Sequence, residues 1–439
     1  MTIGIGIGIG IVVGVIALAS TILEYINYQI FRDTKIKIIT DPVNNKKPHH
    51  SSKFSKRWTR YFIEDNNILQ LLFDTYYRNL NFNNIDVKDI LLIVYEYTGD
   101  ITPEVTNIVI KKLEEKGVIF NKPLQDIDKT IEDIKNTGLN GTIDTFHVNG
   151  RTKLMPVYKP LVSNIMLQIV YGYTYMNFRR CKFEITDTPE NIRYYYKCKD
   201  ATKPTVVIFP GIGIGPILYK KFINKINGSV MIVDIPNVNV CHHYFTDKVF
   251  VDIIYHRTIE QLRRHDIKSV IIFGHSFGTL NSTNFIHNNL KTHDVNIEKI
   301  FLADPICFFS GYARLYASVY RYLQNPQRTV SNRIIYDTVL GDIGNQYMFY
   351  RQLKPYLGTY YFSVEDSDSV EESNDFAEIQ KKTIVMAAQR DSYINYPELW
   401  SHLAKFFPHI TRENYFGYHG DFILNENVFT QGALYINNK

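Results

Sequence analysis

Cysteine and tryptophan are scarce: the chain has 4 Cys and 2 Trp in 439 residues. Cys181, Cys198, Cys241 and Cys307 lack the C-x-x-C spacing of a zinc module and are too sparse for a disulfide scaffold. That usage suits a reducing compartment. One pairing stays open, Cys181 with Cys198 on either side of a hairpin-like stretch. Strong net charge is also missing. At +5, and with no basic run interleaved with aromatics, the chain offers nucleic acid no footprint. His49-His50 lies in a polar stretch without further ligands, so no metal is expected. Gly211-Ile212-Gly213-Ile214-Gly215 lacks the Gly-x-Gly-x-x-Gly spacing of a dinucleotide loop, and no cofactor is expected.

What is abundant is apolar. Hydrophobic residues make up 45% of the chain, with 32 Tyr and 27 Phe. This is enough to build the core of one large domain and one smaller one.

Charge is absent altogether from residues 3–23, where Ile and Gly alternate and then give way to Ile11-Val12-Val13-Gly14-Val15-Ile16-Ala17-Leu18-Ala19. About twenty apolar residues at about 1.5 Å each match the roughly 30 Å of a hydrocarbon core. The expectation is a single transmembrane anchor. Ala17-Leu18-Ala19 also resembles a signal-peptidase site, but no Lys or Arg precedes the run. Arg32, Lys35 and Lys37 follow it, which by the positive-inside rule places the rest of the chain in the cytosol. Gly6, Gly10 and Gly14 are spaced for close approach of a partner helix, although simple repetition explains them equally.

Residues 38–58 read as a polar linker. Residues 60–178 read as a small helical region, with Thr102 as an N-cap, Pro103 in the first turn and Gly117 as a stop. No motif names a protein partner for it. Within it, 161–178 is an apolar stretch interrupted by Ser163, Asn164, Gln168 and Asn177, expected as an amphipathic or buried helix that does not span a membrane. Lys182–Thr186 and Ile192–Tyr196 flank Asp187-Thr188-Pro189-Glu190-Asn191 as a hairpin.

Apolar runs then recur at Thr205–Phe209, Val230–Val233, Val270–Phe273, Lys299–Ala303 and Thr383–Ala387. Segments able to form helices, such as 249–264, separate them. Repeated strand and helix units predict a mostly parallel, doubly wound sheet with its ligand site at the strand carboxyl ends.

At one such end stands Gly274-His275-Ser276-Phe277-Gly278, between the strand Val270-Ile271-Ile272-Phe273 and a helix-compatible segment from Thr279. A serine at the tip of so sharp a turn is exposed beside the unsatisfied N–H groups that open a helix. Nucleophilic chemistry also needs a base and an acid that orients it. Late in the chain His419-Gly420 lies among loop residues, while His402 and His409 sit in a helix-like context. Between serine and histidine, Asp391 follows the strand ending at Ala388, and Asp304 follows the preceding one.

On these residues the chain resembles the α/β-hydrolases over about 180–435. The resemblance implies an α/β fold with Ser276 as nucleophile, His419 as base and Asp391 as acid, Asp304 being the rival. The loop Pro210-Gly211-Ile212 takes the place of the family's His-Gly segment, and the Ile212 and Phe277 amides would form the oxyanion hole. A helical lid falls at about 306–380, its aromatics suiting an acyl substrate and its acidic run 365–372 reading as a solvated loop. The expected function is hydrolysis of lipid-like carboxylic esters at a membrane. Thioester or peptide hydrolysis on the same triad, and a catalytically silent interaction scaffold, remain open at this stage.

Overall fold

The computed structural model describes residues 160–235, 251–308 and 369–438 with few breaks, together with parts of 20–33, 83–91, 101–137 and 358–362. The expected anchor lies outside the described residues up to 19, the linker 38–58 lies outside them entirely, and so does most of the expected lid. Among the described residues no helix is long and apolar enough to cross a membrane.

The N-terminal part is less purely helical than its periodicity suggests. It contains a two-stranded parallel pair, β1 (Asn83–Ile85) and β2 (Ile119–Phe120), with helix α1 (Pro103–Glu115) between them and α2 (Ile127–Thr137) after. Thr102 does open α1. Its Oγ1 accepts from Val105 N–H at 3.3 Å and its carbonyl from Thr106 N–H at 2.9 Å. The helix ends at Glu115, just short of Gly117. The short strands escaped notice because two or three residues carry too little alternation to register.

Helix α3 (Leu161–Arg180) forms where the apolar stretch predicted it. It is not amphipathic in the usual sense. Asn164 and Thr174 are buried, whereas Val162, Ile165, Met166, Ile169, Tyr173 and Met176 are exposed along one stripe. At its start the Leu161 N–H, one of the donors a helix leaves unpaired, bonds Glu24 Oε2 at 2.9 Å.

The main sheet has eight strands, in chain order β3 (Glu184–Asp187), β4 (Arg193–Lys197), β5 (Thr205–Phe209), β6 (Val230–Asp234), β7 (Ser269–His275), β8 (Asn296–Ala303), β9 (Thr383–Ala388) and β10 (Thr411–Tyr415). Across the sheet they run β10-β9-β8-β7-β5-β6-β4-β3. β3 and β4 are antiparallel additions at one edge, and the others are parallel. Every residue of β5 and β6 is buried, which is why these strands read as unbroken apolar runs and not as alternating ones. The two outermost strands are the polar exceptions, Glu-Ile-Thr-Asp in β3 and Thr-Arg-Glu-Asn-Tyr in β10. Helices α4 (Lys220–Lys225), α5 (Val251–Arg264), α6 (Gly278–Thr292), α7 (Val370–Lys382), α8 (Tyr396–Phe406), α9 (Asp421–Leu424) and α10 (Glu426–Asn437) complete the described layers.

Cys181 and Cys198, whose pairing the sequence leaves open, are free thiols. Two expectations need correction here. The end of the acidic run is not a loop: Ser369 caps α7 by accepting from Glu372 N–H at 3.1 Å, and Glu371 and Glu372 occupy its first turn, where the helix dipole favours negative charge. The described aromatics within the lid range are core. Phe308, Tyr360 and Phe362 are buried, and Tyr360 packs on Phe308 and edge-on to Phe362 and Phe407.

Candidate active site

The turn between β7 and α6 forces Ser276 to φ 51°, the left-handed region that costs a non-glycine residue about 1–2 kcal/mol. The surrounding fold sustains this by packing the turn without clearance. A Cβ on Gly278 would lie 1.9 Å from the Phe209 carbonyl oxygen, and one on Gly274 would lie 2.4 Å from Ser282 Oγ. The two glycines therefore make room for different neighbours, the end of β5 and the second turn of α6, and not for each other. Ser276 N–H bonds the Ala303 carbonyl at 2.9 Å, pinning the turn to the end of β8.

His419 reaches the serine from the loop between β10 and α9. Its Nε2 lies 2.7 Å from Ser276 Oγ, and its Nδ1 lies 2.6 Å from Asp391 Oδ2. The histidine side chain is 14% exposed and that of Asp391 0%, so the pair is shielded while the serine keeps a partly open face. The other oxygen of Asp391 accepts from Tyr393 N–H at 2.7 Å and Ile394 N–H at 2.9 Å, which fixes the carboxylate before it meets the ring. Because the aspartate accepts, Nδ1 carries the hydrogen and the neutral ring presents a bare Nε2 to the hydroxyl.

The turn just after β9 holds that loop in place. Arg390 N–H donates to the Gly417 carbonyl at 3.0 Å, and the Arg390 guanidinium covers the Phe416 ring at 4.1 Å. Burial by itself would lower the pKa of His419. The neighbouring Asp391 carboxylate, by charge and hydrogen bond, and Asp304 by charge, outweigh it and push the value up to about 9.

The loop Pro210–Gly215 lies against the elbow, a Cβ on Gly211 falling 3.0 Å from Ser276 Cβ. Ile212 follows directly in that loop, and Phe277 caps the start of α6. Both expected oxyanion donors thus come from segments flanking the serine. The remaining candidates are elsewhere. Asp304 is fully buried and does not bond the His419 ring; it accepts instead from the Gly420 amide at 2.9 Å. His402 is buried in α8, and His409 lies in the turn after that helix, not within one. Among the described residues no group of His, Cys, Asp and Glu could hold a metal ion.

Sequence reasoning missed Tyr219, whose hydroxyl takes the Gly211 N–H at 2.8 Å. One tyrosine among 32, following a Gly-Pro, offers no signal of that role.

No family model matches the chain, and no curated protein matches it. Solved structures do resemble it at low identity. A carboxylesterase of the thaumarchaeon Nitrososphaera gargenis is 12% identical, with TM-score 0.40, over 57% of this chain and 96% of its own. An alpha/beta hydrolase enzyme from a Medee basin deep-sea metagenome library is 14% identical, with TM-score 0.40, over 58% and 96%. Carboxyl esterase 2 of the fungus Tuber melanosporum is 16% identical, with TM-score 0.40, over 58% and 83%.

Proposed function

We propose that this chain, an α/β-hydrolase by its sheet order and its strand–turn–helix elbow, is a serine esterase acting through Ser276, His419 and Asp391. The observation that carries the reading is the unbroken pair of hydrogen bonds from Ser276 Oγ through the His419 ring to Asp391, at 2.7 and 2.6 Å. In this mechanism His419 Nε2 takes the hydroxyl proton as Oγ attacks the ester carbonyl. The amides of Ile212 and Phe277 stabilise the oxyanion, worth about 10²–10³ in rate per donor. The imidazolium returns its proton to the leaving alcohol, and water then repeats the sequence on the acyl-enzyme. The same contacts count against a silent scaffold, because an idle site has no need of a φ-strained serine facing a buried His–Asp pair.

Lipid-like substrates and membrane association are part of this proposal. Their support is the uncharged run 3–19, the exposed apolar stripe of α3, and exposed Ile22, Leu23, Ile26 and Ile30 on the segment whose Glu24 meets that helix.

The deciding experiment treats the full-length protein with a fluorophosphonate and maps the adduct by mass spectrometry. An adduct on Ser276, with turnover that rises with acyl length in a p-nitrophenyl ester series and co-flotation with anionic vesicles, is expected. A folded protein that takes no label ends the esterase reading. A label with equal turnover for acetate and long chains removes the lipid part alone.

The pH dependence has a definite sign. A base must be neutral, and a histidine held near 9 is protonated below that, so kcat/KM should rise about tenfold per unit from about pH 6 and level off near 9. Stability should move the other way. The raised pKa stabilises the fold fully below the unfolded value of about 6.5, and that contribution is lost as pH rises through about 9. Rate profiles and Tm in the same buffers check both, and a rate profile already flat above about pH 7 would contradict the raised pKa of His419.

A further inference from the structure

Beside the triad runs a second line of buried polar groups that the reaction described above does not use. Tyr219 Oη accepts the Gly211 N–H at 2.8 Å and lies 2.8 Å from His275 Nδ1. Burial raises the pKa of this phenol, so it keeps its hydrogen, and burial lowers that of His275, so the ring is neutral. With the Gly211 amide on Oη, the phenolic hydrogen has Nδ1 as its acceptor, and the neutral ring then carries its own hydrogen on Nε2. Nε2 has no hydrogen-bond partner and faces Asp304 Oδ2 at 3.7 Å.

Asp304 is also engaged by three donors. Ala388 N–H reaches Oδ1 at 3.1 Å, while Tyr415 O–H at 2.6 Å and Gly420 N–H at 2.9 Å reach Oδ2. Burial opposes the charge, but the polar contacts around it and the charge of His419 win and hold the carboxyl below its usual pKa. An ionised carboxylate is thus bonded to the residue next to His419.

Four segments of the site meet on this line: the oxyanion loop at Gly211, the nucleophile turn at His275, the end of β9 at Ala388 and the base-bearing loop at Gly420. We propose that Asp304, facing the Tyr219-bonded His275 ring at 3.7 Å and bonded to the Gly420 amide, is a positioning residue that fixes the oxyanion loop relative to the His419 loop and favours the imidazolium formed during attack. The proposal rests on the esterase reading above. The ionisable and aromatic groups around His419 are Asp391, Asp304, Tyr393 and His275, with Tyr415 bonded to Asp304.

The test uses two variants of the full chain, with kinetics expressed per phosphonate-labelled site so that misfolded protein does not count. Tyr219→Phe keeps the ring and removes only the hydroxyl between Gly211 and His275. Its kcat should fall about 10–100-fold with KM within about twofold, the pattern of an oxyanion donor moved off target. Asp304→Asn must turn an amide NH₂ toward at least one of its present donors. Its kcat should fall similarly, and the ascending limb of the pH–rate profile should move about one unit to lower pH as a negative charge leaves the histidine.

A purely structural role would lower Tm without changing kcat per labelled site or the pH limb. If wild type fails to label, the esterase reading fails first. If wild type labels and turns over while both variants keep its kcat and pH limb, the triad stands and the positioning role is overturned. Should Asp304→Asn not fold, Tyr219→Phe decides alone.

Discussion

Ester hydrolysis by the Ser276→Ala protein is expected to drop about 10⁶-fold in kcat, with no phosphonate adduct and no acyl burst. The change removes one atom and little else. Alanine retains the Cβ, so the turn keeps its packing against Phe209 and its Ser276-position amide keeps the bond to Ala303. Tm should therefore shift by no more than a few degrees. A neighbouring hydroxyl, Thr279 Oγ1, donates to the Ser276 carbonyl at 2.6 Å and also accepts from Ile306 N–H at 3.1 Å. It is thus held by backbone on both sides and is poorly placed to substitute as nucleophile. What survives should be the residual about 10³–10⁴ over water that oxyanion stabilisation and binding supply without a nucleophile. Steady-state rates on an aryl ester, with intact-mass analysis after inhibitor treatment, measure both. Activity above about 1% of wild type would move the nucleophile elsewhere.

Asp391→Asn should cost about 10⁴ in kcat, although the side chain is nearly the same shape. The reason is directional. In the wild type one oxygen of Asp391 takes the Tyr393 and Ile394 amides and the other takes His419 Nδ1–H. Asparagine has a single oxygen, and the two backbone donors claim it. Its NH₂ then faces Nδ1 and turns the ring to the tautomer whose Nε2 carries a hydrogen. That nitrogen points at Ser276 Oγ as a donor and cannot take a proton. Kinetics of Asp391→Asn beside Asp304→Asn separate the two carboxylates. A loss of 10⁴ belongs to the one that orients the ring, and a loss of about 10–100 to the one that holds the loop. The reverse order would exchange their roles.

The site was legible where chemistry compresses into a few adjacent residues. Gly274–Gly278 could be read because the turn needs room at fixed offsets from the serine. Asp391 could be read because a residue just past a buried strand comes out at the ligand-binding edge of a parallel sheet. The interior strands showed themselves because a strand buried on both faces leaves no polar positions. What escaped was whatever depends on distant residues meeting. β10, as Thr-Arg-Glu-Asn-Tyr, carries no apolar run because only its Tyr415 is buried. The line from Gly211 through Tyr219, His275 and Asp304 to Gly420 spans more than half of the sheet-bearing domain in sequence. In the sequence His275 was a filler between Gly and Ser, and Asp304 a rival of Asp391, whereas in the structure it bonds the Gly420 amide and not the His419 ring. Cys181 and Cys198 stay open as a pair in the sequence because hairpin-like spacing says where backbones lie and not where thiols point; both are free.

The polar outer strands described at the start have a practical side. A sheet ends in unpaired N–H and C=O groups that invite strands from other copies, and charge along that edge discourages it. Here Glu184 and Asp187 mark one border, bonded to Arg264 and Arg193, and Arg412 and Glu413 mark the other. The greasy stripe on α3 has no such guard. Purified material should accordingly clump through helix faces and not through fibril-like stacking. Mild detergent will then keep it monodisperse where added salt, which strengthens apolar association and screens the protective charges, will make matters worse.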